Sequence, residues 1–190
     1  NLKNKFIEFA NKTPSLGKSF LCLDDKNIKN ILPRLKNKNY YTYGLSKNSN
    51  FHIYKILQSK NYSKFNVKIQ IPGKKKIIKN VIIPLLGLHN IKNATSALAV
   101  AFSIGVSDRI IKSGLKNFKG VQRRFNYLYE INNIPFFDDY AHHPTEISSV
   151  LEGVRKVYKK EKIICIFQPH RVSRLKYLKI EFSKCFIKSN

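Results

Sequence analysis

The residue types best suited to chemistry are concentrated in one stretch of this 190-residue chain, Phe136–Glu146. It brings carboxylate, phenol and imidazole side chains together: Asp138, Asp139, Tyr140, His142 and His143. Pro144 suits the first turn of a helix, and Glu146 suits the positive end of the helix dipole. The stretch therefore predicts a strand that ends in a polar turn and opens a helix, a place where α/β folds bind ligands. A capped helix start with two surface histidines would give the same pattern.

Arginine marks two further loops. The first contains Arg123 and Arg124 within a polar, glycine-containing connection. The second follows a predicted buried strand and holds three basic residues: His170, Arg171 and Arg174. A guanidinium group can bind carboxylate or phosphate through two parallel hydrogen bonds, so both loops suit an anionic ligand. For any single arginine of so basic a chain, a solvated surface position is the simpler interpretation.

A third polar cluster, His89, Asn90 and Asn93, lies in the first turn of a helix predicted from Gly87 to about Ile104. Backbone N–H groups are unpaired there and the dipole is positive. Helix capping explains Asn90 without a ligand. It does not explain Asn93, which lies one turn further in and lowers helix propensity, so Asn93 hints at amide recognition.

Apolar patterns predict the elements that would position these groups. Before the third cluster we expect two helices, one that ends near residue 12 and a short one at Asn27–Leu32. Four strands are also expected there: Ser19–Leu23, Tyr40–Tyr43, Phe51–Leu57 and Phe65–Ile71. Lys74–Lys76, after Pro72–Gly73, are expected in a solvated hairpin turn. The later part should contain a hairpin at Asn132–Asn133, a helix from Pro144 to about Tyr158, a strand Ile163–Phe167 and a helix from about Leu175. This alternation predicts an α/β fold with a parallel, Rossmann-like sheet.

Composition limits the classes of function. The net charge of +25 comes from lysines scattered through every segment, without a recognition motif, so we expect no specific nucleic acid partner and only weak attraction of anions. Three widely spaced cysteines in apolar contexts, Cys22, Cys165 and Cys185, indicate buried thiols in a reducing compartment and not disulfides or a zinc site. No apolar run is long enough for a membrane span, and no nucleophilic triad, metal-ligand cluster or glycine-rich phosphate loop is apparent. The absence of methionine and the start at Asn1 indicate a piece of a longer protein.

Five motifs, in order along nearly the whole chain, resemble those of the Mur ligases, ATP-dependent enzymes that form amide bonds in peptidoglycan precursors. The first motif extends from Phe6–Ala10 through Leu23–Asp25. The other four are Gly87–Ala94, Phe118–Phe125, Asp138–Glu146 and Phe167–Arg174. The resemblance implies that 1–120 form the latter part of a central ATP-binding domain. It implies that 121–190 form the first half of a Rossmann-like, amino-acid-binding C-terminal domain.

The resemblance also implies roles for the candidate residues. His89, Asn90 and Asn93 would hold adenine, Arg124 would reach an ATP phosphate, and Asp139 would lie on the ribose side. The amino acid would be bound by the remaining candidates: Tyr140, His142, His170, Arg171 and Arg174. Arg124, Asp139 and His142 would serve catalysis, with Mg²⁺ neutralising phosphate charge and no metal ligand assigned in this chain.

The implied substrates are ATP, UDP-N-acetylmuramate and L-alanine, in the cytoplasm and without a membrane partner. The chain lacks a phosphate-binding Gly-Lys-Thr loop and a UDP-sugar domain, so alone it should not catalyse and would depend on those portions of the same protein. A family member that attaches a recycled tripeptide shares the Asp138–Pro144 pattern, but the His170–Arg171 pair with Arg174 favours alanine. A non-catalytic nucleotide- or nucleic-acid-binding module, or a degenerate copy of a ligase, would also fit the sequence.

Overall fold

A computed structural model describes residues 2–59, 61–118, 120–121 and 123–190. Lys119 and Gln122, which belong to the predicted connection between domains, lie outside the described residues, as do Asn1 and Lys60. Apart from these four positions, the chain divides into two compact units. The described residues of the first lie within Asn1–Leu57, Lys64–Ile83 and Lys92–Lys116, and those of the second lie within Gln58–Ser63, Pro84–Ile91 and Asn117–Asn190. The predicted domain boundary at 120/121 stays a prediction.

A five-stranded sheet organises the first unit, with its strands in chain order. They are β1 (Ser19–Cys22), β2 (Tyr40–Gly44), β3 (Phe51–Gln58), β4 (Ser63–Ile71) and β5 (Lys74–Ile83). β1 and β2 are parallel, from Ser19 opposite Tyr40 to Cys22 opposite Tyr43, and β2 and β3 are also parallel. The four predicted strands are confirmed.

Strand β5 differs from the expectation. Lys74–Lys76 begin this strand and do not form the turn, which is left to Pro72 and Gly73. All three lysines are exposed, while Ile78, Val81 and Ile83 further along the strand are buried. The run of charged residues hid the strand because the apolar pattern begins only after it.

Apolar residues of the strands and two helices form the core of the first unit. Phe65, Val67 and Ile69 are fully buried on one face of β4, and each such side chain contributes about 1.5–3 kcal/mol. Phe51 of β3 meets Phe102 edge-on, with ring centroids 6.1 Å apart. Phe102 lies on α3, the predicted helix, which spans Leu88–Ser103.

Three other helices belong to the first unit: α1 (Leu2–Asn11), α2 (Lys26–Ile31) and α4 (Asp108–Lys116). Asp25 caps α2 by accepting the N–H groups of Asn27 and Ile28, and a 3₁₀ turn containing Pro33 follows it. Helix α4 packs against β5. Among the described residues, no helix has both the length and the hydropathy needed to cross a membrane.

The second unit contains the predicted hairpin, β6 (Asn126–Ile131) and β7 (Ile134–Asp138). Asn132 and Asn133 both have positive φ, 50° and 62°, as a two-residue turn between twisted antiparallel strands requires. Helix α5 (Pro144–Val157) follows and confirms the predicted helix.

The predicted strand Ile163–Phe167 is wrong. In the described part of the chain, 162–171 form neither strand nor helix. Ile163 and Phe167 pack against the core formed by α5 and the C-terminal helices, whereas Ile164 and Ile166 are 72% and 92% exposed. Cys165, expected as a buried thiol, is also exposed. No described strand pairs with this segment, so the described part of the second unit has no parallel strand pair.

Two short helices, α6 (Val172–Tyr177) and α7 (Lys179–Cys185), replace the single closing helix that was predicted. The chain bends at Leu178, whose φ of −117° lies outside the helical range. Phe182 and Cys185 of α7 join Ile147 and Leu151 of α5 in the core of this unit. The mixed α/β class predicted from the sequence is confirmed.

Candidate functional site

The polar turn after β7 has the predicted form, and part of it caps α5. His143 is the N-cap residue: its Nδ1 accepts the N–H of Thr145 at 3.3 Å. The Glu146 carboxylate accepts the N–H groups of His142 and His143, at 3.1 and 3.3 Å. Pro144 occupies the first helical turn. His143 and Glu146 therefore have a structural role, which a His–Pro pair followed by Glu at the third helical position could have indicated.

The Glu146 carboxyl is held in its charged form. Burial raises its pKa, but the N–H groups of His142 and His143 and the charges of His142 and Arg124 together outweigh burial, and the pKa is lowered. Arg124 Nη1 lies 3.9 Å from Glu146 Oε1, and its side chain is 52% exposed. Much of this guanidinium is therefore available to an anionic ligand.

Asp139 connects the turn to the arginine loop. Its Oδ2 accepts the N–H of Phe125 at 2.8 Å, and its Oδ1 accepts the N–H of Ala141 at 2.6 Å. Tyr140 donates its own N–H to the carbonyl of Arg123 at 2.8 Å. Each carboxylate oxygen keeps a second lone pair, so Asp139 can bind a ligand hydroxyl while it holds the backbone.

The two neighbouring arginines have different surroundings. Arg123 places its guanidinium 4.8 Å from the centre of the Tyr140 ring and its Nε 3.5 Å from Asp138 Oδ2. A cation over an aromatic face is an attractive contact, so Arg123 helps to fix the ring of Tyr140. The sequence drew attention to Arg123 only as a neighbour of Arg124, and no local signal distinguished the two.

Four of the residues predicted to bind the amino acid lie together. The rings of Tyr140 and His142 are 4.8 Å apart, and those of His142 and His170 are 6.3 Å apart. Arg174 donates from Nη1 to the carbonyl of His142 at 3.3 Å. Arg171, the fifth, is exposed and precedes α6 with φ +68°.

His142 has one ring nitrogen engaged by the backbone. Its Nδ1 lies 2.9 Å from the carbonyl oxygen of Tyr140, which can only accept a hydrogen bond. The neutral ring that makes this bond carries its proton on Nδ1, so its Nε2 is the basic nitrogen.

The third cluster is divided between the two units. His89 and Asn90 belong to the second unit and Asn93, which is exposed, to the first. The expectation that Asn90 caps α3 is wrong. Asn90 lies within the helix, and its Nδ2 donates to the carbonyl of Leu86 at 2.7 Å. The side chain of an N-cap residue accepts a backbone N–H group. The Asn90 side chain instead donates to a backbone carbonyl that precedes the helix.

His89 is the least satisfied polar side chain of the cluster. Its Nδ1 is buried and has no hydrogen-bond partner in the described part of the chain. Burial lowers the pKa of the imidazole, and Arg124 lowers it further, while the charges of Asp139 and Glu146 oppose this. The same three charged residues thus act on His89 and on the turn after β7.

The described residues offer no ready metal site. None of them form a group of three or more His, Cys, Asp or Glu side chains that could hold an ion. The carboxylates of Asp139 and Glu146 already accept backbone N–H groups. Two carboxylates without a third protein ligand do not fit Mg²⁺ as a complete site among the described residues.

Two family models match the chain. Residues 1–101 match the Mur ligase middle domain, and 123–183 match the Mur ligase glutamate ligase domain. The chain therefore belongs to the Mur ligase family, in agreement with the resemblance of its motifs.

Individual relatives narrow the comparison. The UDP-N-acetylmuramate–L-alanine ligase of Pelagibacter ubique is 59% identical over the whole chain, which spans 41% of that protein. The solved UDP-N-acetylmuramate–alanine ligase of Thermotoga maritima matches with TM-score 0.67 and 26% identity, over 96% of this chain and 46% of that one. A murein peptide ligase from Psychrobacter arcticus matches with TM-score 0.62 and 26% identity, over 90% of this chain and 35% of that one.

Proposed function

We propose that this chain is part of an ATP-dependent ligase that joins L-alanine to the carboxylate of UDP-N-acetylmuramate in peptidoglycan precursor synthesis. The supporting observation is its 59% identity, over its full length, with a relative named for that reaction. In the proposed reaction ATP phosphorylates the muramate carboxylate. The amine of alanine then attacks the acyl phosphate, forming the amide bond and releasing phosphate.

Five residues are proposed to contact the nucleotide. Asn93 would contact adenine directly, together with His89 and Asn90. Arg124 would bind a phosphate, since its guanidinium is half exposed and paired only loosely with Glu146. Asp139 would use its remaining lone pairs for the ribose. Other parts of the protein would supply the phosphate-binding loop, the groups that hold Mg²⁺ and the UDP-sugar site.

The amino acid would be bound in the second unit. His170, Arg171 and Arg174 are proposed to hold the alanine carboxylate, and Tyr140 to line the pocket. His142 would accept a proton from the alanine ammonium at Nε2, because Nδ1 is directed to the Tyr140 carbonyl. The amine becomes nucleophilic only when it has lost that proton.

A murein peptide ligase is the second candidate, supported by the structural match to that enzyme. It would join a tripeptide, and not alanine, to the same muramate. Alanine is favoured because the relative that is 59% identical over the whole chain is named for it, whereas the murein peptide ligase is 26% identical. The pair His170–Arg171 followed by Arg174 is proposed to bind the alanine carboxylate. Assaying the complete protein with alanine and with tripeptide would distinguish the two candidates.

Arg171→Ala in the complete ligase tests the carboxylate site. Loss of a charge-assisted hydrogen bond of about 1.5–3 kcal/mol should raise the Michaelis constant for alanine roughly 10- to 100-fold. The Michaelis constant for ATP should change by less than about twofold. Arg109→Ala, at an exposed position of α4, is the matched control and should alter neither Michaelis constant. An equal rise for both substrates in Arg171→Ala would refute the proposed role.

A further inference from the structure

An acidic residue that the proposed reaction does not use lies at the end of β1. The Asp24 side chain is only 14% exposed. Its carboxylate accepts the N–H of Leu45, at 2.9 and 3.0 Å from its two oxygens, and the N–H of Ser46 at 3.2 Å. Asp24 therefore fixes the turn that follows β2.

Gly44 makes room for this carboxylate. A Cβ at Gly44 would lie 2.7 Å from Asp24 Oδ1, closer than real Cβ contacts. The φ of Gly44 is also +146°, in the range that favours glycine. The turn and the carboxylate thus depend on each other.

The same carboxylate reaches α3. Lys92 Nζ lies 3.1 Å from Asp24 Oδ2, and the Lys92 side chain is 26% exposed. Burial raises the Asp24 pKa, but the N–H of Leu45, the Lys92 ammonium and the N–H of Ser46 outweigh it, so the carboxyl is held charged. One turn further along α3, the Ser96 side chain lies near the hydroxyl of Tyr43 from β2, where it opposes the rise that burial causes in the tyrosine pKa. An ion pair and this neighbouring polar pair therefore lie between one side of α3 and the ends of β1 and β2.

Such contacts help to fix how α3 is rotated about its axis, in addition to its buried face of Ile91, Leu98 and Ala99. Apolar packing is non-directional, whereas a hydrogen bond or ion pair weakens when its atoms move apart or turn away. Asn93 follows Lys92 directly, about 100° further around the helix. Any rotation or shift of α3 that breaks the Lys92 contact therefore also redirects the Asn93 amide.

We propose that Asp24 and Lys92, assisted by Tyr43 and Ser96, are positioning residues that hold α3 in the rotation at which Asn93 meets the adenine ring. This inference rests on the proposed function, in which Asn93 contacts the nucleotide. Neither Asp24 nor Lys92 touches substrate in this scheme. They act through the helix.

Lys92→Met in the complete ligase tests the inference. The Michaelis constant for ATP should rise roughly 3- to 30-fold, the range expected for coupled neighbours, while kcat and the constant for alanine stay within about twofold. Lys92→Arg should recover most of the loss because it keeps the charge. A merely structural pair would lower the melting temperature without this selective change, and that result would overturn the inference.

Asn93→Ala separates failure of the inference from failure of the proposed function. If Asn93→Ala weakens ATP binding, Lys92→Met should add little in that background, because both changes act at one contact. Full additivity would overturn the positioning role alone. If Asn93→Ala leaves ATP binding unchanged, the adenine assignment and the inference both fall. If Lys92→Met folds poorly, Ser96→Ala can take its place, because this change leaves no charge unpaired. Ser96→Ala should raise the Michaelis constant for ATP by a smaller factor and leave that for alanine unchanged.

Discussion

Asp139 illustrates how a residue assigned to a ligand can also build the site around it. Its two oxygens hold the N–H groups of Phe125 and Ala141. The carboxylate thereby fixes the backbone next to Arg124 and Tyr140 before any ligand arrives. Substitution of Asp139 should disturb the proposed phosphate and amino-acid contacts together, so such a variant cannot isolate the proposed contact to ribose.

His89 should make folding stability depend on pH. Burial lowers the pKa of its imidazole in the folded state, whereas the unfolded residue titrates near pH 6.5. The unfolded chain therefore binds more protons between these two pKa values, and stability falls as the pH drops below about 6.5. We expect His89→Gln to reduce this loss, measured as the urea midpoint from pH 7.5 down to pH 5. An unchanged pH profile in the variant would show that another group is responsible.

Helix α5 crosses the start of α3 at two glycines. A Cβ on Gly153 would lie 2.9 Å from the Gly87 Cα and 3.4 Å from its nitrogen. Both neighbours are backbone atoms, which cannot move aside as a flexible side chain does. Gly153→Ala should therefore destabilise the chain by about 1–3 kcal/mol, measured by urea unfolding, even though alanine favours a helix.

Gly114 in α4 is the matched control for this crossing. Nothing lies within 4 Å of a Cβ added there, so Gly114→Ala should gain helix propensity, up to about 1 kcal/mol. If both alanine variants were equally stabilised, the close approach of Gly153 and Gly87 would be disproved.

Elements with strong local signals were predictable from the sequence. Asn132–Asn133 between apolar runs identified the β6–β7 hairpin, and Pro144 identified the start of α5. Two errors had non-local causes. The lysines at the start of β5 concealed a strand that its neighbour β4 stabilises, and Ile163–Phe167 has the pattern of a strand but no described partner. Strand formation depends on pairing, which residue patterns do not contain.

The proximity of four candidate residues was predictable from the sequence, but the hydrogen-bond partner of each side chain was not. Tyr140, His142, His170 and Arg174 do lie together. His143 caps α5, and Asn90 donates to the carbonyl of Leu86. Each role would change if the helix began one residue earlier or later. Sequence patterns locate such boundaries less finely than that.

The whole molecule combines a large positive charge with uncovered apolar surface. It has 36 lysines and arginines against 11 acidic residues, so copies of the chain repel each other at low ionic strength. Salt removes this protection, since the screening length shortens to about 3 Å at 1 M. The segment 162–171, with Ile164 and Ile166 exposed, is then free to meet another copy.

Solubility should accordingly be controlled by that segment. We expect light scattering from the isolated chain to increase between about 0.05 and 1 M NaCl, because exposed apolar side chains associate once charge repulsion is screened. Ile164→Lys with Ile166→Lys should keep the solution clear. Ile104→Lys with Ile187→Lys adds the same charge at other exposed isoleucines and should not. Equal protection by both pairs would mean that charge alone keeps this chain dispersed.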